Sequence, residues 1–148
     1  MFKENFKMVG NIELLLIDTN GQIKLQKTIP NLVVMTGKEY VAQRMVSNNA
    51  MFMSHIAVGS GTSNTDISNI VLETELARAE MTSANSSSNT VTYVAPFLPG
   101  VGVGAITEAG IFNSGTANSG TMLCRTIFPV VNKEAGDTLT ITWNVSPS

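Results

Sequence analysis

Charge is scarce in this chain. Of its 148 residues only 14% are Asp, Glu, Lys or Arg, against about 25% in an ordinary soluble domain. The 9 basic and 11 acidic side chains leave a formal net charge of -2. Without a basic excess the electrostatic footprint of a nucleic-acid binder is missing, and copies of the chain repel each other little. The single cysteine, Cys124, excludes an intrachain disulfide and a cysteine-cluster zinc site. The single histidine, His55, excludes a paired-histidine zinc motif. No apolar run approaches the ~20 residues of a membrane span. The opening residues Met1-Phe2-Lys3-Glu4-Asn5 have no apolar signal core, so synthesis in a cytoplasm without secretory export is expected.

What fills the chain is neutral and polar: 16 Thr, 14 Asn, 13 Ser and 12 Gly. That composition suits strands, tight turns and polar interfaces better than long salt-bridged helices. Asn11–Ile17 reads as a strand, Asp18-Thr19-Asn20-Gly21 as a turn, and Gln22–Ile29 as the returning strand, with Ile23, Leu25 and Ile29 on one side. Thr36 followed by Glu39 has capping-box spacing. It predicts a helix over residues 37–47 whose apolar face holds Val41, Met45, Ala42 and Val46. Ser54–Val58 is the next strand, and Asp66 sits where it would cap a short helical turn. Leu72–Arg78 is readable as helix or strand. Ala84–Asn89 reads as a polar, mobile loop tip between strands around Arg78–Ser83 and Thr90–Leu98.

Strands are further predicted over Ile106–Phe112, Met122–Phe128 and Leu139–Val145. Pro96 implies a sheet edge or strand end, and Gly110 is a candidate bulge. In the last strand Leu139, Ile141 and Trp143 alternate with Thr138, Thr140 and Thr142, so one face is buried and one is threonine-lined. Short strands with one clear helix predict a mostly β fold: an antiparallel β-sandwich with one short α-helix near the N-terminus. The expectation is one domain over residues 1–148, with a hairpin and helix over 11–47 and the main strands over 54–145. Residues 11–47 are expected to belong to one continuous core rather than to a separate docking half.

Chemistry is hard to find. Nucleophilic catalysis needs a base beside the nucleophile. His55 reads as a surface or interface histidine, with Ser54 expected on the opposite face. Cys124 reads as a buried small hydrophobe. Gly59-Ser60-Gly61-Thr62 lacks the Gly-Lys-Ser/Thr of a phosphate loop, and Gly100–Gly104 lacks dinucleotide-binding spacing; both read as loops with unusual backbone angles. Asp18–Gly21 lacks the ligands of a calcium loop. Asn85-Ser86-Ser87 and Asn144-Val145-Ser146 match the glycosylation triplet, which has no use without export. Glu73, Glu75, Glu80 and Glu108 are the carboxylates to weigh for glycoside hydrolysis. The exposed aromatics that usually accompany such a site are missing, since the only Trp, Trp143, reads as core. The chain is therefore read as not an enzyme, with no catalytic residue, cofactor or metal site. Glu75, Arg78, Glu108, Arg125 and Lys133 stand out because charge is rare and each lies beside apolar strand residues. Glu108 and Arg125, on neighbouring predicted strands, either form a structural ion pair or remain solvated.

Four segments carry a resemblance: Ile56-Ala57-Val58-Gly59-Ser60-Gly61-Thr62; Leu72-Glu73-Thr74-Glu75-Leu76-Ala77-Arg78; Ile106-Thr107-Glu108-Ala109-Gly110-Ile111-Phe112-Asn113; and Leu123-Cys124-Arg125-Thr126-Ile127-Phe128-Pro129 with Lys133 and Thr138–Trp143 after it. In order and spacing, residues 56–143 resemble small bacteriophage virion proteins, including the N-terminal domains of phage tail-collar fibre proteins. The resemblance implies a β-rich, non-catalytic domain that packs into a symmetric virion. Tail-collar fibre proteins are much longer, so the expectation here is a short accessory tail or neck protein. Capsid decoration is the alternative. The expected partners are other virion proteins (tail, neck or capsid subunits) and further copies of the chain in a homo-oligomer, with no nucleic acid and no membrane. The expected location is the virion, after synthesis in the host bacterial cytoplasm. From the residues alone, loops 59–66 and 113–120, rich in Asn, Asp and Gly, leave a carbohydrate-binding β-sandwich as a further alternative.

Overall fold

Alternation builds the first strand, β1 (Met8–Ile17): Ile12, Leu14 and Leu16 are buried, while Asn11 and Glu13 face solvent. The Asp18 carboxylate accepts the Asn20 and Gln22 N–H groups, and Gly21 takes φ 77°, turning the chain into β2 (Ile23–Pro30). A register shift between Leu16 and Ile17 breaks the two-residue period of this hairpin. Leu25 and Ile29 pack against the core as expected. Ile23, beyond the shift, is instead 60% exposed. The computed structural model describes residues 7–47 and 49–147. The opening residues read for a signal, Asn48 at the helix end and Ser148 lie outside them.

The remaining elements are β3 (Leu32–Val33), α1 (Met35–Val46), β4 (His55–Gly59), β5 (Glu75–Glu80), β6 (Ser83–Ser87), β7 (Thr90–Phe97), β8 (Gly104–Phe112), β9 (Met122–Lys133) and β10 (Thr138–Pro147). They form two antiparallel five-stranded sheets, β2-β1-β10-β7-β6 and β3-β9-β8-β4-β5. The protein is thus mostly β, with its helix between β3 and β4. One hydrophobic cluster draws on both sheets: Ile12, Leu14, Phe97, Ile141 and Trp143 from the first meet Ile56, Val58, Ala109 and Ile111 from the second. Trp143 is fully buried, opposite Ile12 and Tyr93, and Thr138, Thr140 and Thr142 form the half-covered outer row.

Several local expectations are corrected. No capping box forms: α1 starts at Met35, Val34 is its cap residue without a side-chain bond, and Thr36 Oγ1 donates to the Met122 carbonyl at 2.8 Å. The helix packs through Gly37 and Tyr40, leaving Met45 82% and Val46 88% exposed. Gly37 decides this face, because a Cβ there would collide with the Leu123 carbonyl of β9. Asp66 caps a turn, not a helix, accepting Ser68 N–H and Oγ at 2.8 and 2.6 Å. Leu72–Arg78 resolves as a buried Leu72 followed by strand β5. Most of the expected polar tip is strand: β6 pairs regularly with β7 through Ser87↔Thr90, leaving only Ser88 and Asn89 to turn. Ser and Asn have weak strand preference; the order comes from the partner strand.

Gly110 is not a bulge. It pairs in register with Ala57 and Arg125, while the β8–β9 shifts fall between Ile106 and Glu108 and between Ile111 and Phe112. Its role is space, since a Cβ would lie 3.1 Å from the Cys124 carbonyl, Leu72 Cδ2 and Phe112 Cε2. Pro96 pairs with Thr140 beyond the end of β6, so the N–H it lacks would have had no strand to meet.

Candidate functional site

Strand alternation gives the β3-β9-β8-β4-β5 sheet a second face, turned away from the sandwich core. Ala57, Glu108, Gly110, Phe112 and Arg125 lie on it, and a small apolar cluster of Val34, Ala57, Leu72, Phe112 and Met122 is buried there. Two loops roof this face: residues 60–74, between β4 and β5, and 113–121, between β8 and β9. Leu72 plugs the first loop into the space that Gly110 leaves free.

Glu108 fastens that loop. It is fully buried, and its carboxylate accepts the Gly61 N–H at 2.7 Å, Thr74 N–H at 2.8 Å and Glu73 N–H at 2.9 Å. Arg125, 1% exposed, donates Nε and Nη2 to Glu108 Oε1 at 3.2 and 3.1 Å. Its remaining donors reach the Ser63 and Asn64 carbonyls and the Asn69 side chain. The ion pair left open by sequence therefore forms, and it is buried. Burial changes its weight: an exposed cross-strand pair is worth roughly 0.2–1 kcal/mol, whereas removing one partner of a buried pair costs about 3–5 kcal/mol.

The glycines of Gly59-Ser60-Gly61-Thr62 serve this cradle. Neither has a positive φ, contrary to expectation. A Cβ on Gly61 would run into the Glu108 carboxylate, and one on Gly59 into the Thr74 carbonyl. In Gly100–Gly104 the expected backbone angles are present, at φ 84°, 68° and 139° for the three glycines. Glu73 closes the loop from outside by accepting the Thr62 and Ser63 N–H groups. Hydrogen bonds from Ser63 and Thr62, aided by the Arg125 charge, hold its carboxyl below the ordinary value.

A second buried pair holds the other loop. Glu75 and Arg78 meet in a bidentate bridge, Nε to Oε2 at 2.9 Å and Nη2 to Oε1 at 3.0 Å. Residues three apart on a regular strand face opposite ways. The register shift between Val58 and Gly59 brings these two onto one face. Arg78 Nη1 donates to the Ser114 and Ser119 carbonyls at 2.8 and 2.9 Å, and the guanidinium stacks 3.8 Å from the Phe112 ring centre. Sequence singled out all four residues; it missed the loop backbones they hold, which carry no side-chain signal.

Elsewhere, Lys133 is buried and donates to the Leu98 carbonyl at 3.0 Å; burial pulls its pKa below the ordinary value, with Asp137 opposing. Lys24 bridges Asp137 at 2.7 Å, tying β2 to the β9–β10 turn. Cys124 is fully buried, and burial pushes its thiol pKa up. Ser54 Oγ lies 2.8 Å from His55 Nδ1, correcting the expectation that the two point apart. Ser54 precedes β4, so strand alternation does not govern it. Gly115 covers Nε2, since a Cβ there would stand 2.9 Å from that atom. Glu80 pairs across from His55 on the outer strand, while Glu73, Glu75 and Glu108 are committed to N–H groups and guanidinium.

Among the described residues no group of three His, Cys, Asp or Glu side chains is placed to hold a metal, and no helix is long and apolar enough to cross a membrane. A groove of about 610 Å³ runs between the start of β1 and α1, lined by Met8, Val9, Val41 and Met45 with Lys7 and Lys38. The chain matches no family model, no curated protein and no solved structure.

Proposed function

We propose that this chain is a non-enzymatic structural subunit of a bacteriophage particle, an accessory protein of the tail or neck that attaches a fibre or collar. The observation that carries this reading is the convergence of the four virion-like segments on one cradle. Ile56–Thr62 brings the two glycines, and Leu72–Arg78 brings two of the N–H donors and the second ion pair. Ile106–Asn113 brings Glu108 and Gly110, and Leu123–Pro129 brings Arg125. A single physical demand, a loop held tightly over a sheet, accounts for these residues; Lys133 and Thr138–Trp143, the rest of the fourth segment, lie outside the cradle.

Charge spent on holding loops suits a scaffold better than a catalyst. The fastened loop presents Ile67, Ile70 and Val71 to solvent. Apolar side chains on a backbone ordered in advance make good contacts, because little entropy is lost on docking. Against glycan binding, Ser63, Asn64, Ser114 and Ser119 in loops 59–66 and 113–120 turn their carbonyls inward to the two arginines.

The test is mass spectrometry of purified phage particles combined with antibody-labelled electron microscopy. Label at the tail or neck is the expected result. Label over the capsid shell would convert the reading to decoration, and absence from mature particles would end it.

A further inference from the structure

Each sheet in this fold has open ends, and an open strand invites pairing with another chain. The structure treats its ends unequally. On β2, Lys24 and Lys27 place charge along the edge, and a bulge at Leu16/Ile17 distorts the pairing with β1. Lys27 stands opposite core residue Leu14, so its charge lies on the inward side of the strand. On β5, Glu80 places an exposed charge on the strand, Glu75 and Arg78 being buried in their own ion pair, and a bulge at Val58/Gly59 interrupts the pairing with β4. The β3 end is two residues long. These are the usual protections of an edge: charge, bulging and shortness.

The remaining edge, β6, has none of them. Ser83-Ala84-Asn85-Ser86-Ser87 holds no charge and no proline, and its five residues pair with β7 without a register shift. Beside it lies a cavity of about 520 Å³ shared by Ala84, Asn85 and Ser86 with Tyr40, Phe52 and Met53. Phe52 is 70% exposed there, and Arg44 stacks 4.5 Å from its ring centre.

We propose that β6 is a self-association edge, pairing antiparallel with β6 of a second copy about a two-fold axis at Asn85. The occupant follows from charge. A neutral edge meets its own copy without like-charge contacts, whereas β2 against β2 would bring lysines together. A net charge of -2 adds little repulsion. Antiparallel pairing of identical strands makes a closed, isologous interface. It joins two five-stranded sheets into one of ten, and the partner lies over the strip beside Phe52. The inference rests on the edge itself and stands whether or not the chain belongs to a virion.

The test uses the full chain. Light scattering should give about twice the 15.8 kDa chain mass. Asn85→Lys should lose the dimer while keeping the wild-type circular dichroism spectrum. Paired antiparallel residues lie about 4.5–5.5 Å apart at Cα, within disulfide range. Asn85→Cys should therefore cross-link on mild oxidation, and Gln26→Cys on the β2 edge should not; native Cys124, fully buried, adds no background. A monomer at every concentration, a threefold mass, a dimer surviving Asn85→Lys, or equal cross-linking from Gln26→Cys would each overturn the proposal. The cross-link decides the question even where the lysine variant fails to fold.

Discussion

The two faces of the β3-β9-β8-β4-β5 sheet solve opposite problems with the same strands. The inner face buries Ile56, Val58, Ala109 and Ile111 against the other sheet, with Lys133 at its margin donating to the Leu98 carbonyl. The outer face buries Glu108, Arg125, Glu75 and Arg78 under two loops. Hydrophobic contact is non-directional and tolerates any close-packed arrangement. A loop without regular ladder hydrogen bonds needs directional partners for its backbone, and a buried carboxylate or guanidinium supplies several at once. In a chain with 14% charged residues, two of the three arginines serve this purpose.

The largest effect should come from the inner side. Trp143→Ala removes a fully buried aromatic and should cost about 3–5 kcal/mol in denaturant unfolding. Little loss would mean that the sandwich core does not depend on its centre. Glu108→Ala should cost about 3 kcal/mol, the lower end for a broken buried pair, because release of the loop lets water reach Arg125. Arg125→Met in the same chain should then add less than it costs alone, since the two share one interaction.

How far the comparison was legible follows from the same contrast. The sandwich core announces itself through alternation, as in Leu139, Ile141 and Trp143 of the facing sheet, so the mostly β fold was readable. The roof was only half readable. Rarity of charge drew attention to Glu108 and Arg125, but Glu108 accepts the N–H groups of Gly61, Glu73 and Thr74 and Arg125 donates to the Ser63 and Asn64 carbonyls, backbone groups that leave no side-chain signal. The bulge that unites Glu75 with Arg78 leaves no composition signal. The helix face was half misread: Val41 packs against the core as periodicity suggested, but Ala42, Met45 and Val46 are exposed, because close approach at Gly37 decides which side meets β9. Ala84–Ser87, most of the expected loop tip, looked like a loop because its order comes from β7.

Gly110, on the outer face beneath the roof, gives a smaller effect. Gly110→Ala should cost about 1–3 kcal/mol, the range for overpacking, because its Cβ meets backbone and two side chains at 3.1 Å. Gly110→Val should be worse than Ala109→Val in soluble yield. Equal behaviour would show that Leu72 and the roof yield freely. Acid should perturb least. Asp137, Glu73 and Asp66 are held below ordinary values of 3.8, 4.5 and 3.8, chiefly by hydrogen bonds from Lys24, Ser63 and Ser68 respectively. A carboxyl depressed in the folded state contributes stability that is complete above its unfolded value and lost as pH falls through its folded value. Tm should therefore be flat down to about pH 5 and decline below it, with a shallower decline in Asp137→Asn.

The most direct test of loop fastening by buried charge is the amide NMR spectrum of Glu108→Ala beside that of the wild type. Resonances of β1, β7 and β10 should keep their dispersion, while those of residues 60–74 should collapse toward random-coil positions. Loop resonances that stay dispersed would show that something other than Glu108 holds the roof. Collapse of the whole spectrum would show that the ion pair holds the sandwich itself.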